Sequence, residues 1–339
     1  MSERPRLTPA MADVRRAIRD SWDQFNLVKG STVSVACSGG ADSLALASAA
    51  LFEGNRAEIN VIVCIVNHNL QEGSMEVALR TKGILIEMGF SVVEIMDVHI
   101  QQSSLGMEAA ARNARYGALT EFADKHNAVF TMLGHTQDDQ AETVLLGLAR
   151  GSGAKSIAGM PTLSLDGRYL RPLLGITRKE TVSYCEDLSL DYWSDPQNLD
   201  TKFSRVKTRL NVLPVLEAEL GPGIAQALSR TAEILQDDIA YLEAQADEAF
   251  KQVAKTTNKS VVIDVELFER LPKALANRVI HKSLSLMGAE PAKVQIDAVN
   301  DLVSNWHGQK PLTLPSVRVE RKGKEIILES TKTMKPGAC

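Results

Sequence analysis

Hydrophobic positions along the chain fall into two regimes. Up to about residue 150, short apolar runs alternate with helical patterns. Val33–Cys37 is apolar and ends in Ser-Gly-Gly, and Ser43–Phe52 after it reads as a helix. Val61-Ile62-Val63-Cys64-Ile65-Val66 is a near-continuous β-branched run, which predicts a strand covered on both faces. A helix is expected over about Met75–Met88, then a strand over Ser91–Met96 and a helix over Met107–His126. A strand over Ala128–Leu133 and a helix over Asp138–Ala149 complete the series. Repeated β-α units predict an α/β domain with a doubly wound, mostly parallel sheet. Ligands of such sheets bind beyond the carboxyl ends of the strands, where the three sharpest motifs lie. Leu163–Leu170 reads as a hairpin around Asp166-Gly167. The sheet domain is expected to end near Leu213-Pro214, with a second break at Gly221-Pro222-Gly223.

The second regime is helical. Ile224, Leu228, Ala232, Leu235, Ile239, Leu242, Ala246, Phe250 and Val253 recur every three or four residues, which predicts one amphipathic helix. At 1.5 Å per residue it is about 45 Å long. Helical patterns follow near Glu266–Met287 and Lys293–Trp306. A small basic hairpin is expected from Val317-Arg318-Val319 and Ile326-Ile327-Leu328 around Arg321-Lys322-Gly323-Lys324. The expected division is a catalytic sheet domain at 1–213, a long connecting helix at 214–255, a mainly helical C-terminal domain at 256–330 and a tail at 331–339. No internal repeat or low-complexity segment is seen.

The length, 339 residues, suits two ordinary domains, and 44% hydrophobic with 24% charged residues excludes wholesale disorder. The longest largely apolar stretch, Leu44–Phe52 with only Ser48 interrupting it, is far short of the roughly 20 residues a bilayer span needs, so no membrane helix is expected. Met1–Arg6 has charges without an apolar stretch behind them, unlike a secretory signal. Cys37, Cys64, Cys185 and Cys339 are irregularly spaced, which argues against a disulfide framework or structural zinc and for a cytoplasmic protein.

The net charge of −4 argues against a general nucleic-acid binder. The positive charges are nevertheless clustered. Lys202, Arg205, Lys207 and Arg209 fall within eight residues without an acid; Arg168, Arg171, Arg178 and Lys179 form a looser group; Arg4, Arg6, Arg15, Arg16 and Arg19 crowd the first twenty positions. Local patches on an acidic protein suit a polyanion bound at one face, with a merely solvated surface as the alternative.

Val33–Ser43 reads as strand, then Ser38-Gly39-Gly40-Ala41-Asp42-Ser43, then helix. Two glycines let backbone N–H groups approach a polyphosphate, and a helix N-terminus adds unpaired donors. Asp42 beside phosphates calls for a cation between them, for which Mg²⁺ is suited. No GxxxxGK[ST] is present, which excludes a Walker-type NTPase. The bland alternative is a tight turn whose Ser and Asp only cap a helix. SGGADS resembles the pyrophosphate loop of the PP-loop ATP-pyrophosphatase superfamily, whose members cleave ATP between the α and β phosphates and adenylate a carbonyl oxygen.

After the fourth strand comes GHTQDDQAETVLLGLARGSG. On a helix Asp138, Asp139, Glu142 and Thr143 share a face, with His135 at the helix entry. Carboxylates so placed can bind Mg²⁺ or a cationic substrate. Thr136 and Asp139 also fit a capping box, which would leave His135 and Glu142 unexplained. MEAAARNARYGAL puts Glu108, Arg112, Arg115 and Tyr116 on one helical stripe, as an ion pair or as a clamp for phosphates.

Together with Asn67-His68-Asn69-Leu70, Arg171-Pro172-Leu173-Leu174 and Asp195-Pro196-Gln197-Asn198, these blocks resemble bacterial tRNA(Ile)-lysidine synthetase (TilS), densely from Val33 to Glu217. The chain departs from that family at Asn69 (usually Gly), at Gln197 (usually Ser) and around Val206, where a usual Asn-Arg pair is missing. The resemblance implies ATP-dependent adenylation of the wobble cytidine C2 carbonyl oxygen in tRNA(Ile) with a CAU anticodon. Attack by the ε-amine of L-lysine then yields lysidine, AMP and pyrophosphate. It implies that Ser38, Gly39, Gly40, Ala41, Asp42, Ser43 and His68 bind ATP, and that Asp42 and Asp138 take Mg²⁺. Asp139, Glu142 and Glu108 would bind substrate, with lysine at Asp139 and Glu142. Arg112 and Arg115 would face the cytidine or adenylate. The general base stays open among Asp138, Asp139 and His135. Lys202, Arg205, Lys207 and Arg209 would grip tRNA, with residues 256–330 as a tRNA-binding domain, and a homodimer is compatible with this scheme. The rivals are another PP-loop enzyme such as a tRNA thiolase, which needs sulfur-carrying cysteines, and a nucleotide- or RNA-binding sensor without chemistry.

Overall fold

Thr8 accepts a hydrogen bond from the Met11 N–H, and Pro9 follows it in the first turn, a start signal that opens α1 (Pro9–Gln24). Met11, Val14, Ile18 and Trp22 bury one face of this helix, which the sequence pattern had not suggested. The computed structural model describes residues 7–69, 73–98, 107–151 and 153–331, without the side chains of Met107 and Glu108. Arg4, Arg6, Leu70, Cys339 and the side chain of Glu108 therefore lie outside the described residues.

The expected β-α units follow in order. They are β1 (Thr32–Ala36), α2 (Ala41–Ala57), β2 (Asn60–Asn67), α3 (Ser74–Met88), β3 (Val93–Asp97), α4 (Met107–Lys125), β4 (Thr131–Leu133) and α5 (Gln137–Arg150). A short α6 (Ala154–Ile157) leads to β5 (Tyr169–Leu170), which forms the predicted turn pairing with Leu163. Then come α7 (Arg178–Asp187), α8 (Ser204–Lys207), a π-helical turn at Thr208–Val212 and α9 (Leu213–Leu220). Leu213-Pro214 thus opens a helix.

The five strands form one parallel sheet ordered β3-β2-β1-β4-β5. Val33, Val35, Val63 and Ile65 pack on one side with Met11, Ile18, Leu44, Leu46 and Tyr184. Ile62, Cys64 and Leu133 pack on the other with Leu119 and Phe122 of α4. This two-sided burial is why the β2 run carries no polar alternation. The chain moves outward from β1 to β3 and then returns to place β4 on the other side of β1. The loops leaving β1 and β4 are therefore neighbours at the switch point of the sheet, where such folds bind ligands.

The chain divides into two compact units, residues 1–236 and 237–339. The predicted long helix is α10 (Ile224–Val253). The second unit has its own core and more strand than the predicted hairpin. It contains β6 (Ala254–Thr256), β7 (Ser260–Asp264), α11 (Val265–Phe268), α12 (Lys273–Leu286), α13 (Lys293–Ser304), β8 (Leu312–Leu314), β9 (Val317–Lys322) and β10 (Glu325–Ser330). The β9–β10 hairpin is present, and three further strands join it in an antiparallel sheet ordered β6-β7-β10-β9-β8. Val261, Ile263, Val319, Ile326 and Leu328 pack there with Val279, Ile280, Leu284, Val299 and Leu302.

Candidate active site

The Ser38–Ser43 loop is folded around one hydroxyl. Ser43 Oγ accepts the Ser38 N–H at 3.2 Å and donates to the Gly40 carbonyl at 2.9 Å, and Ser38 Oγ lies 3.4 Å away. Gly39 has φ +86°, and a Cβ there would stand 2.3 Å from Thr81 Oγ1 of α3. Only glycine meets both conditions. The Trp193 N–H donates to the Gly39 carbonyl at 2.9 Å and holds the loop from a third side. Ala41, Asp42 and Ser43 form the first turn of α2.

Gly134, at the exit of β4, joins this loop to the acidic block. A Cβ at Gly134 would lie 3.1 Å from the Asp42 carbonyl, so the two motifs meet through a backbone approach that a larger residue would push apart. Just beyond it, α5 begins with the capping box. Asp139 Oδ2 accepts the Thr136 N–H at 2.9 Å and the Thr136 hydroxyl at 3.1 Å. The cap is therefore real, yet it uses only one oxygen of Asp139. Oδ1 faces two guanidiniums, Arg178 Nη2 at 3.0 Å and Arg209 Nη2 at 3.5 Å. Glu142, one turn further and fully buried, accepts Arg209 Nε at 2.6 Å through Oε1. Its Oε2 is buried and has no hydrogen-bond partner among the described residues.

Arg178 was seen in the sequence only as part of a loose basic group. Its Nε donates to Asp42 Oδ2 at 3.2 Å and its backbone N–H donates to Asp138 Oδ2 at 2.7 Å. Thr181 on the same helix donates its hydroxyl to Asp42 Oδ1. Nothing in local spacing links Arg178 or Thr181 to Asp42, because these contacts span more than 130 residues.

The charges set distinct protonation tendencies. Burial pushes the Asp42 carboxyl above the usual range against the pull of Arg178 and Thr181. Burial also raises Glu142, with Arg209 opposing. For Asp139 burial acts upward, but Arg178, the Thr136 N–H, His135 and Arg209 outweigh it and the carboxyl is held low. Burial drives His135 down to about 3, against Asp139, and Arg171, Arg115 and Arg205 push the same way. His135 is thus a neutral imidazole near pH 7 and a weak base. His68 is lowered by burial and by Arg115. Arg115 is therefore the common neighbour of both histidines. Desolvation pushes the half-buried phenol of Tyr116 up, but Arg112, Arg115 and Arg171 outweigh it and bring the group below its ordinary range.

The basic run does not present one exposed patch. Lys202 and Lys207 are exposed, whereas Arg205 and Arg209 turn toward α5. Arg205 Nη2 donates to Thr143 Oγ1 at 2.7 Å, and Arg209 bridges Asp139 and Glu142. Val206 between them is buried, and Asn69 sits at φ +52°, a left-handed conformation that Asn adopts nearly as readily as Gly. The Gln197 N–H donates to Asp195 Oδ1 at 2.9 Å within a short 3₁₀ turn.

Asp42 and Asp138 converge on the same residue, Arg178, beside the phosphate loop. Two carboxylates there match the donor set that Mg²⁺ takes alongside substrate phosphates. Among the described residues no cluster of three or more His, Cys, Asp or Glu forms a protein-only metal site. Cys37, Cys64 and Cys185 are free and buried. Burial, with a smaller contribution from neighbouring charges, pushes the Cys64 and Cys185 thiols up to about 12, far from a sulfur-carrying thiolate. No described helix is long and apolar enough to cross a membrane.

Residues 12–216 match the family model of a PP-loop domain, and residues 263–323 match that of a TilS substrate binding domain. The chain is 44% identical over 321 residues to a tRNA(Ile)-lysidine synthase of Thermobifida fusca, covering 94% of this chain and 95% of that one. It is 45% identical over 298 residues to one of Leifsonia xyli subsp. xyli, covering 87% and 89%. Among solved structures it resembles the U34-tRNA thiolase NcsA from Methanococcus maripaludis with its 4Fe-4S cluster. That match has a TM-score of 0.54 and 22% identity, covering 67% of this chain and 80% of that one, a likeness of fold alone.

Proposed function

The chain belongs to the tRNA(Ile)-lysidine synthase family, an ATP-using ligase family, and from that premise we propose how its own residues divide the work. ATP lies along Ser38–Ser43, with its phosphates on the backbone donors of the loop and the first turn of α2. Asp42 and Asp138 would hold Mg²⁺, which neutralises phosphate charge when bound. Arg112, Arg115 and Arg171, gathered around Tyr116, form the cationic wall that receives the wobble cytidine of a CAU-anticodon tRNA(Ile). Cytidine O2 attacks the α-phosphorus and pyrophosphate leaves. The ε-amine of lysine then attacks C2, and AMP departs with O2.

The observation that carries the lysine assignment is the buried Glu142 Oε2 beside Asp139, an oxygen with no hydrogen-bond partner among the described residues. An ammonium group is the natural donor to such an oxygen. The lysine amine has a reference pKa of about 10.4 and must shed a proton before it attacks. Glu142, raised by burial, is a better acceptor for that proton than Asp139, which is ion-paired and held low, or His135, which is a weak base. Exposed Lys202 and Lys207 contact the tRNA backbone, together with residues 256–330. The protein acts in the cytoplasm, and a homodimer is compatible with this assignment.

The test mixes the purified chain with tRNA(Ile) bearing CAU, ATP, Mg²⁺ and labelled lysine, with an elongator methionine tRNA as control. Label in the isoleucine tRNA alone, matched by AMP, is the expected result. AMP without label would discard lysine as the nucleophile. Neither product, with ATP bound, would favour a sensor without chemistry.

A further inference from the structure

Asp42 belongs to the phosphate loop and Asp139 to the amine seat, and one side chain touches both. Arg178 reaches Asp42 Oδ2 through Nε at 3.2 Å and Asp139 Oδ1 through Nη2 at 3.0 Å, while its backbone N–H holds Asp138 Oδ2 at 2.7 Å. Two N–H donors of one planar guanidinium thus serve two motifs that lie on different elements.

The position of Arg178 is itself fixed. Thr177 opens α7 with a capping box: Glu180 Oε2 accepts the Thr177 N–H at 2.7 Å, and Thr177 Oγ1 accepts the Glu180 N–H at 3.2 Å. The Gln137 N–H donates to the Ile176 carbonyl at 2.8 Å, so the starts of α5 and α7 are strapped together. Three residues into α7, Thr181 holds the second oxygen of Asp42. Asp42 and Asp139 are close enough to repel one another. Without a cation between them, that repulsion would turn one away from the phosphates or the other away from Glu142.

We infer that Arg178 is a positioning residue that ties the phosphate loop to the amine seat, so that ATP and lysine are bound in one registered geometry. This rests on lysine binding at Asp139 and Glu142. Arginine is needed because its rigid fork offers two separate N–H donors, one for each carboxylate; a lysine at 178 keeps the charge but concentrates it at one point.

The experiment compares Arg178→Gln and Arg178→Lys with the unsubstituted full-length chain. Thermal melts and tRNA binding establish that the variants fold. The KM for ATP is read from tRNA-dependent pyrophosphate release, and the KM for lysine from lysidine formation at saturating ATP. Loss of charge-assisted hydrogen bonds predicts that Arg178→Gln raises both KM values by about tenfold or more, with tRNA binding preserved. Arg178→Lys is expected to recover one KM but not both. A fall in kcat with both KM values unchanged, as a mere strut would give, overturns the inference, and so does movement of only one KM in Arg178→Gln. If the unsubstituted chain releases pyrophosphate but forms no lysidine, the lysine reading fails by that separate result. An ATP KM unchanged in Arg178→Gln would then reject the tie as well.

Discussion

His135 shows how far a single environment can move a familiar side chain. An imidazole in the unfolded chain takes a proton near pH 6.5, whereas His135 in the fold does so only near 3. Between those values the unfolded state binds more protons, so this residue's contribution to stability falls as pH is lowered through that window. Asp139 is held below its ordinary range and stays ionised in the upper part of the window. Replacing His135 with Gln is therefore expected to flatten the loss of melting temperature between pH 7 and pH 5. Parallel thermal melts of both proteins check this, and equal slopes would refute it. At this scale the sequence was informative where chemistry is local. Ser38–Ser43 and Asp138–Glu142 announced themselves by spacing. Arg178 and Thr181 did not, because a contact across more than 130 residues leaves no mark in either neighbourhood.

Elements were legible where burial imposes a period. The β2 run and the 30-residue α10 were readable because two-sided burial and a helical apolar stripe each write a pattern. The reading near Glu266–Met287 ran through a break, since Pro272 caps α12 and separates it from the short α11. Strands β6 and β8 have three residues each, too few to establish a period. The segment Lys202–Arg209 carried charge in the sequence, but only the fold sorts that charge by direction. Reversing exposed Lys202 and Lys207 to Glu is expected to weaken tRNA binding and reduce its salt dependence by about one phosphate contact per lysine, with ATP affinity unchanged. Arg209→Ala should instead change the KM for lysine with little effect on that salt slope. Filter binding over a salt series and lysine kinetics separate the two, and identical behaviour of both variants would contradict the division.

The whole molecule has two cores built by different means, a parallel sheet packed on both faces and an antiparallel sheet packed with α12 and α13. Two cores of this size favour two unfolding transitions over one. Calorimetry of the full chain is expected to resolve them, with saturating Mg·ATP raising only the transition of the unit that carries Ser38–Ser43. A single cooperative transition, or an equal shift of both, would show that the units do not unfold independently.

The oxygen of Glu142 that has no hydrogen-bond partner among the described residues has an energetic meaning beyond recognition. A buried acceptor without a donor costs roughly 1–3 kcal/mol, a noticeable part of the 5–15 kcal/mol that separates folded from unfolded chains. The free protein thus leaves one oxygen of Glu142 unsatisfied while the other holds Arg209. At that spot the fold gives up robustness to keep an appetite for a positive charge.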